Sequence, residues 1–573
     1  MIPTPTAPER ILKLGAFTTL CDALDAAAAG PTGINIHSPR GQLVEVLTYA
    51  RLRDEACEMA GRLIAAGLKP GDRMALAAES NGDFLRAFFA CQYAGVAPVP
   101  TPLPAPLGGK EAYVAHIRRM LISARVRAAL APAELADWFA EAAEDLDLRF
   151  CGPFGLELPP AVVRLPAPDP AGLCYLQYSS GSTRFPVGVA VTQQALMANV
   201  LAIGGPAGLA VGSADRAVSW LPLYHDMGLV GMLLCGLCFQ VSLDLMPTAA
   251  FVRRPGLWLD LLSRHGGTIS YAPNFGYDLA ARRASALDVG SLDLSRWRIA
   301  GIGGDMIRPG PLRAFAEAFA PAGFDARAFL ASYGMAEATL ALTLSPLGQG
   351  LATDTADVDS LERSGAADGA GRSGRVREFA LCGAVLPGHR LEVRGEAGSV
   401  VSERRVGRIF AFGPSLMKAY FDAPEETAQV LSEDGWLDTG DLGYRVDDQI
   451  VITGRAKDLI IVHGRNIWPQ DLEWTLERQV EALRSGDVAA FQVSTAEVEQ
   501  VIALVQCRSR EPDKRAGLRA AVAATLRSSH GLDVEVVLAP PHSLPQTSSG
   551  KLSRSRARAL YLAGAFDETS LPV

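Results

Sequence analysis

Apolar positions recur at helical spacing early in the chain, at Leu52, Ala56, Met59 and Leu63, and Gly67 follows as a candidate cap. KPGD then makes a turn into RMALAA, an apolar run of strand length. Residues 84–93 return to helical spacing and lead into VAPVP. Helix, turn, strand, helix, strand reads as a layered α/β sheet. Pro98, Pro100, Pro102, Pro104 and Pro106 make the next stretch extended and loop-like. Helix-like segments return at 192–207, 257–265 and 311–320, each followed by an apolar run, and no fixed-period repeat is visible. Between 346 and 375 thirty residues contain no aromatic side chain and many Gly, Ala, Ser and Asp, with one short VDSLER piece. That composition predicts a loop or mobile insertion. Short β-like runs dominate 379–452, and a smaller α/β segment follows Gly454.

Composition narrows the class. At 573 residues the chain is too long for one hydrophobic core. Apolar residues at 49% and charged residues at 20% exclude a disordered, coiled-coil or collagen-like chain. The formal net charge of −8 argues against a general nucleic-acid or anionic-membrane binder. The nine cysteines are scattered, which suits a reducing cytosol. Cys235 and Cys238 sit in an apolar run without ligand-spaced His and read as buried core thiols. The N-terminus lacks the pattern of a signal peptide. The most apolar run, 227–239, is shorter than the ~20 residues of a spanning helix. The expectation is a cytoplasmic protein with no transmembrane segment.

The chemistry lies in a series of motifs. Residues 178–189 read YSSGSTRFPVGV, small hydroxyl residues around Gly181 that let backbone N–H groups approach a phosphate. By itself such a turn is more often a plain loop, and it is not a Walker loop. Four further segments and one near the C-terminus change that: SWLPLYHDMGLVG (219–231), ASYGMAEATL (331–340), GWLDTGDLGY (435–444), GRAKDLIIVHGRNIWPQDLE (454–473) and LPQTSSGKL (544–552). In this order and spacing they resemble the adenylate-forming superfamily of acyl-CoA synthetases, peptide-synthetase adenylation domains and luciferases. The resemblance covers essentially the whole chain.

The resemblance implies a large N-terminal domain, 1–454, of layered α/β sheets plus a distorted β-barrel, and a small mobile α+β C-terminal domain, 455–573. It implies ATP and Mg²⁺. Joining a carboxylate to the α-phosphate of ATP brings two anions together, so the site needs cations and N–H donors. By resemblance, Ser179, Ser180, Gly181, Ser182 and Thr183 hold phosphates. Gly304, Asp305, Ser332, Tyr333, Gly334 and Met335 belong to the nucleotide site, with Tyr333 stacked on adenine. Asp441 and Arg455 take the ribose side, and Glu337 with Thr183 holds the metal. Lys551 contacts carboxylate and α-phosphate, with His225 near the reacting groups. Each has a plainer reading: Lys551 as a cation of a solvated basic tail, His225 or Tyr333 as core, Asp441 as an Asx-turn residue, Glu337 as a helix N-terminal charge. One departure stands out. The family loop often reads TGxPKG, and here Arg184 replaces Gly and Val187 stands where Lys is usual.

Details resemble the fatty acyl-AMP ligase branch, above all QYSSGSTRFP, HGRNIWPQDLE and the long stretch between Glu337 and Gly383. Acyl-CoA synthetases usually cross that stretch with a shorter loop, so 353–375 is the candidate insertion. Such an insertion implies bracing of the large domain against the small one about a hinge at Lys457, with the acyl group passed to an acyl carrier protein rather than CoA. The acyl pocket is expected between 220–232, 270–277 and 300–304, where GIGG either leaves room for a chain or reflects tight packing. The sequence therefore predicts activation of a fatty acid to acyl-AMP. The rivals are a fatty acyl-CoA synthetase and a catalytically silent acyl- or nucleotide-binding homologue.

Overall fold

The computed structural model describes residues 17–104, 109–178, 187–369, 375–462, 464–494, 499–546 and 551–566. The phosphate-loop residues Ser179, Ser180, Gly181, Ser182 and Thr183, with Arg184, lie outside the described residues.

After helix Leu20–Ala28 comes helix Tyr49–Ala65 with Thr48 as N-cap, and its apolar stripe buries Leu52, Ala56 and Leu63. Strand Arg73–Ala77 and helix Gly82–Tyr93 follow as the pattern predicts. Strand Ala97–Thr101 carries two prolines because it lies at the edge of a four-stranded parallel sheet, where missing N–H donors cost least.

The site is built on a larger sheet of fourteen strands. Its centre is parallel: Gly33–His37, Ser242–Leu245, Arg216–Ser219, Ile269–Ala272, Ile299–Ile302 and Phe329–Gly334. Beyond Phe329–Gly334 the pairing turns antiparallel through Ala341–Leu344, Val376–Val385, Gln449–Arg455, Leu437–Val446, Gly407–Phe412 and Arg390–Arg394. The region expected as a barrel is thus an antiparallel arm hydrogen-bonded onto the parallel sheet. Aromatic rings pack beneath the parallel half, with Trp258 and Trp297 centroids 5.1 Å apart and Phe315 and Phe324 also 5.1 Å apart.

One buried charge cluster ties three central strands. Asp244 accepts from Arg216 Nε at 2.6 Å and from Asn35 at 3.0 Å, and pairs with His37 Nε2 at 2.9 Å. His265, at the end of helix Gly256–His265, stands 3.4 Å away. His37, Asp244 and His265 have the spacing of metal ligands. Arg216 already neutralises the carboxylate, so the cluster is read as a clamp. Burial works against the Asp244 charge, but the His37 and Arg216 hydrogen bonds outweigh it and hold its pKa at about 2.

The segment 353–375, expected as a loop, is ordered over its described part. Strand Thr353–Asp357 pairs antiparallel with the start of Val376–Val385. Asp357 caps helix Val358–Ser364 through Ser360 N at 2.9 Å. The segment has no aromatic side chain of its own and borrows them: Leu361 and Ala356 are buried with Phe379, Tyr444 and Trp468.

From Ile460 onward the chain builds a separate core. A hairpin of Ile460–Val462 and Arg465–Ile467 leads to helix Pro469–Gln479. A three-stranded sheet, helix Pro512–His530 and helix Arg554–Leu562 complete it. Among the described residues no helix is long and apolar enough to cross a membrane.

Asp244→Asn leaves the Arg216 guanidinium buried without its counter-charge. It should cost ~3–5 kcal/mol of stability at neutral pH, measured by urea unfolding. Because the folded pKa is depressed, the wild-type advantage should persist above the ordinary carboxylate pKa of 3.8 and fade as pH falls through about 2.

Candidate active site

In a parallel α/β sheet the carboxyl ends of the strands carry the site, because loops and backbone groups converge there. Strand Arg216–Ser219 runs into His225 and Asp226, strand Ile299–Ile302 into Gly303, Gly304 and Asp305, and strand Phe329–Gly334 into Met335 and Glu337. Two cavities open at this edge. One is polar and includes Asp305, Asp441, Arg455 and Lys551 in its lining. The other is mainly apolar and includes Ile203, Leu209, Met227, Gly231, Tyr271, Leu340 and Leu344, with Asp226 at its wall. They share Gly304, Ser332, Tyr333 and Gly334.

Two glycines hold the junction open. Gly304 has φ +79°, a conformation that disfavours any side chain. A Cβ there would point at Met227 Cε, 3.8 Å away, and at Lys551 Nζ, 3.9 Å away. A Cβ on Gly303 would meet Ser332 Oγ at 2.6 Å. The GIGG motif is not uniform: the Tyr271 ring fills the space over Gly301, where a Cβ would lie 2.2 Å from it. There the glycine serves close packing, while at Gly303 and Gly304 it serves the cavities.

Tyr333 donates its hydroxyl to Asp441 Oδ2 at 2.8 Å. Asp441 and Arg455 face each other across antiparallel strands, with Arg455 Nε 3.6 Å from Oδ1. The turn chemistry of LDTGD belongs to Asp438, which accepts from Gly440 N at 3.0 Å. Asp441 is therefore free of the Asx-turn role and lines the polar cavity. Burial raises the Asp441 pKa, and Arg455, Tyr333 and Lys551 oppose the shift. Burial also works against the Arg455 charge, but Asp441 and Asp458 outweigh it and raise its pKa.

Glu337 is buried in a single 3₁₀ turn, Ala336–Ala338, too short for a dipole role. It accepts from the Tyr420 hydroxyl at 2.8 Å, and burial raises its pKa. Next to it, β-branched Thr339 stands at φ +69°, held by its hydroxyl donating to Ser415 O at 2.7 Å. Met335 packs against the main core and lines neither cavity. Among the described residues His225 Nε2 is buried without a hydrogen-bond partner. Burial and the Lys551 charge pull the His225 pKa to about 3, so its ring is neutral. Lys551 lines the cavity, while Arg554, three residues on, binds Glu473 bidentately at 2.6 and 2.8 Å. Arg554 of the basic tail is thus docked, while Arg556 and Arg558 are exposed.

Gly304, Asp305, Ser332, Tyr333, Gly334, Asp441, Arg455 and Lys551 line one cavity. The three stretches expected for the acyl pocket each contribute, through Asp226, Met227 and Gly231, through Tyr271, and through Gly303 and Gly304. Trp220 does not, because it stacks on Phe251 in the core at 3.7 Å. The sequence reading missed Ile203 and Leu209, and Leu340 with Leu344. It also missed Gln470 and Trp474, which enter the polar cavity from the C-terminal segment. Residues 227–234 form a π-helix, a rare form that often accompanies functional sites. Gly228 packs its start against Pro222 O, where a Cβ would sit at 2.3 Å.

Comparisons with known proteins show the family. The profile of the family described as AMP-binding enzyme matches residues 34–421. A Caulobacter vibrioides protein provisionally named an acyl-CoA synthetase is 57% identical over 99% of each chain. The long-chain-fatty-acid–AMP ligase FadD32 of Mycolicibacterium smegmatis is 33% identical over 91% of this chain and 89% of its own. The medium-chain-fatty-acid–[acyl-carrier-protein] ligase JamA of Moorena producens is 32% identical over 92% and 91%. A solved structure from a study of fatty acyl-adenylate ligases of E. coli and L. pneumophila superposes with a TM-score of 0.92. It is 43% identical over 96% of this chain and 99% of that one.

Asp441→Ala removes the acceptor shared by Tyr333 and Arg455. ATP binding should weaken by ~1.5–3 kcal/mol in calorimetry, the scale of a hydrogen bond to a charged group. Unchanged affinity would confine Asp441 to its own hairpin.

Proposed function

The chain belongs to the AMP-binding enzyme family, and from that premise we propose that it is a fatty acyl-AMP ligase which activates a fatty acid with ATP and passes the acyl group to an acyl carrier protein. The observation that carries this reading is Lys551 Nζ at Gly304, where an apolar cavity meets a polar one. A fatty acyl chain suits the first cavity and a nucleotide the second, so the carboxylate and the α-phosphate come together beside an ammonium group. That charge offsets the repulsion of two anions as the mixed anhydride forms. Asp441 and Arg455 suit the ribose side, and neutral His225 stands by without adding charge.

Glu337 lines neither cavity but feels the charge of Arg455, which does, and by donor chemistry a carboxylate held in place by Tyr420 fits a magnesium ion. With Thr183 and the phosphates it would hold an ion that neutralises triphosphate charge. Val187 supplies no cation to the phosphate loop, and Arg184 would compensate in part.

The preference for a carrier protein over CoA is supported by the insertion. Glu362 is buried and accepts from Arg465 at 2.6 and 3.0 Å, with Arg375 at 3.5 Å on its other oxygen. Leu361 packs with Trp468. Segment 353–375 thereby touches the part of the chain beyond residue 455, which would rotate about Lys457 between half-reactions. Bracing that part disfavours the second orientation with free CoA. The name of the Caulobacter relative favours a second reading, a fatty acyl-CoA synthetase.

Incubation with ATP, Mg²⁺ and a panel of fatty acids, followed by CoA or carrier protein, tests both readings by mass spectrometry of the products. Lys551→Ala should lower fatty-acid-dependent pyrophosphate release ~10²–10³-fold while the fold is kept. Near-normal release would remove Lys551 from the mechanism. Glu362→Ala should raise acyl-CoA output ~10-fold at similar adenylation, equivalent to ~1.4 kcal/mol of lost bias. A wild-type enzyme that makes acyl-CoA as readily as acyl-AMP would establish the synthetase reading instead.

A further inference from the structure

The first half-reaction joins a carboxylate to a phosphate and releases pyrophosphate, and no proton has to leave. The second does release one: a thiol becomes a thioester. Its proton needs an acceptor at the point where the acyl carbonyl is bound to AMP. We propose that Asp226 is the general base that takes the thiol proton during acyl transfer. This rests on the ligase reading above.

Position is the first argument. The carbonyl of an acyl-adenylate with its chain in the apolar cavity and its nucleotide in the polar one lies at their shared wall of Gly304, Ser332, Tyr333 and Gly334. Asp226 lines the apolar cavity and is the one carboxylate among its described lining residues. Its neighbour Met227 points at Gly304. Asp226 is held in place, accepting from Met227 N at 2.7 Å at the first residue of the π-helix.

Exclusion is the second. His225 is the obvious base, but with its pKa at about 3 it cannot keep a proton at neutral pH. Lys551 is a cation. Glu337 is engaged by Tyr420. An extra carboxylate beside the junction only hinders the meeting of two anions, so its use lies in the other step.

Electrostatics is the third. Burial raises the Asp226 pKa, and the Lys551 charge opposes the rise. Glu337 and Tyr175 also face it, since its charge pushes both their pKa values up. When Lys551 withdraws with its segment, the restraint on Asp226 goes and its proton affinity increases. Then the thiol proton passes to the Asp226 carboxylate and sulfur bonds to the carbonyl carbon. The carbon–oxygen bond to phosphate breaks, and AMP leaves with the electron pair.

Synthetic dodecanoyl-adenylate and pantetheine, mixed with the full chain, isolate this step. Dodecanoate with ATP, read as pyrophosphate release, reports the first step separately. With Asp226→Asn, thioester formation should fall ~10²-fold or more. That loss should exceed the loss of pyrophosphate release at least tenfold. Asp226→Glu should recover part of it, and the wild-type transfer rate should decline on the acid side. If Asp226→Asn does not fold, Asp226→Glu and the wild-type acid limb carry the test. An equal fall of both steps, transfer at the wild-type rate, a wild-type rate flat in pH, or no thioester above the enzyme-free rate would each overturn the base role. Absence of pyrophosphate release with fatty acids would overturn the ligase reading alone, because the transfer arm is supplied with ready-made adenylate.

Discussion

The site depends on a cation that the parallel half of the sheet beneath it does not supply. The carboxyl ends of the parallel strands provide glycines, a serine, a tyrosine and the carboxylates Asp226, Asp305 and Glu337. The antiparallel arm adds Asp441. Such a surface would repel a fatty carboxylate and a triphosphate alike. Arg455, at the end of the arm, and Lys551, from the far end of the chain, reverse that balance. Lys551 belongs to a segment with its own core. The chemistry therefore depends on how that segment docks.

Docking uses charges in pairs. Helix Pro469–Gln479 presents Asp471, Trp474 and Glu477, three residues apart and so on one face. Arg377 donates to Asp471 at 2.6 Å, and Arg308 approaches Glu477 at 3.4 Å with its guanidinium 5.1 Å from the Trp474 ring. Glu362 and Arg465 reverse the polarity on the insertion side. Burial outweighs the attraction of the arginines and pushes Asp471 to about 6 and Glu477 to about 7. Contacts whose desolvation nearly cancels their attraction fix orientation without fixing it permanently.

His225 and Asp226 show how adjacent residues acquire opposite characters. Burial disfavours charge on both, so it makes the imidazole a poor proton acceptor and the carboxylate a better one. The Lys551 charge lowers both pKa values. Position relative to one ammonium group thus couples the placement of the segment to the proton affinity of its neighbours.

Local pattern was enough for the helices at 49–65 and 256–265 and for the strands around them, because their apolar period matches the element that buries it. Tyr333, Asp441, Arg455 and Lys551, singled out by the motifs, line one polar cavity although they lie far apart in the chain. Segment 353–375 was not legible. Its low apolar content predicts a loop, yet Leu361 finds Phe379, Tyr444 and Trp468 on distant strands and on the C-terminal segment. The walls at Ile203, Leu209 and Leu344 were hidden for the same reason, as apolar residues look alike whether they face a core or a cavity. Sequence determined which chemical groups are present and the local elements that carry them. Tertiary structure alone decided which face each other, because burial and charge proximity arise between segments far apart in the chain.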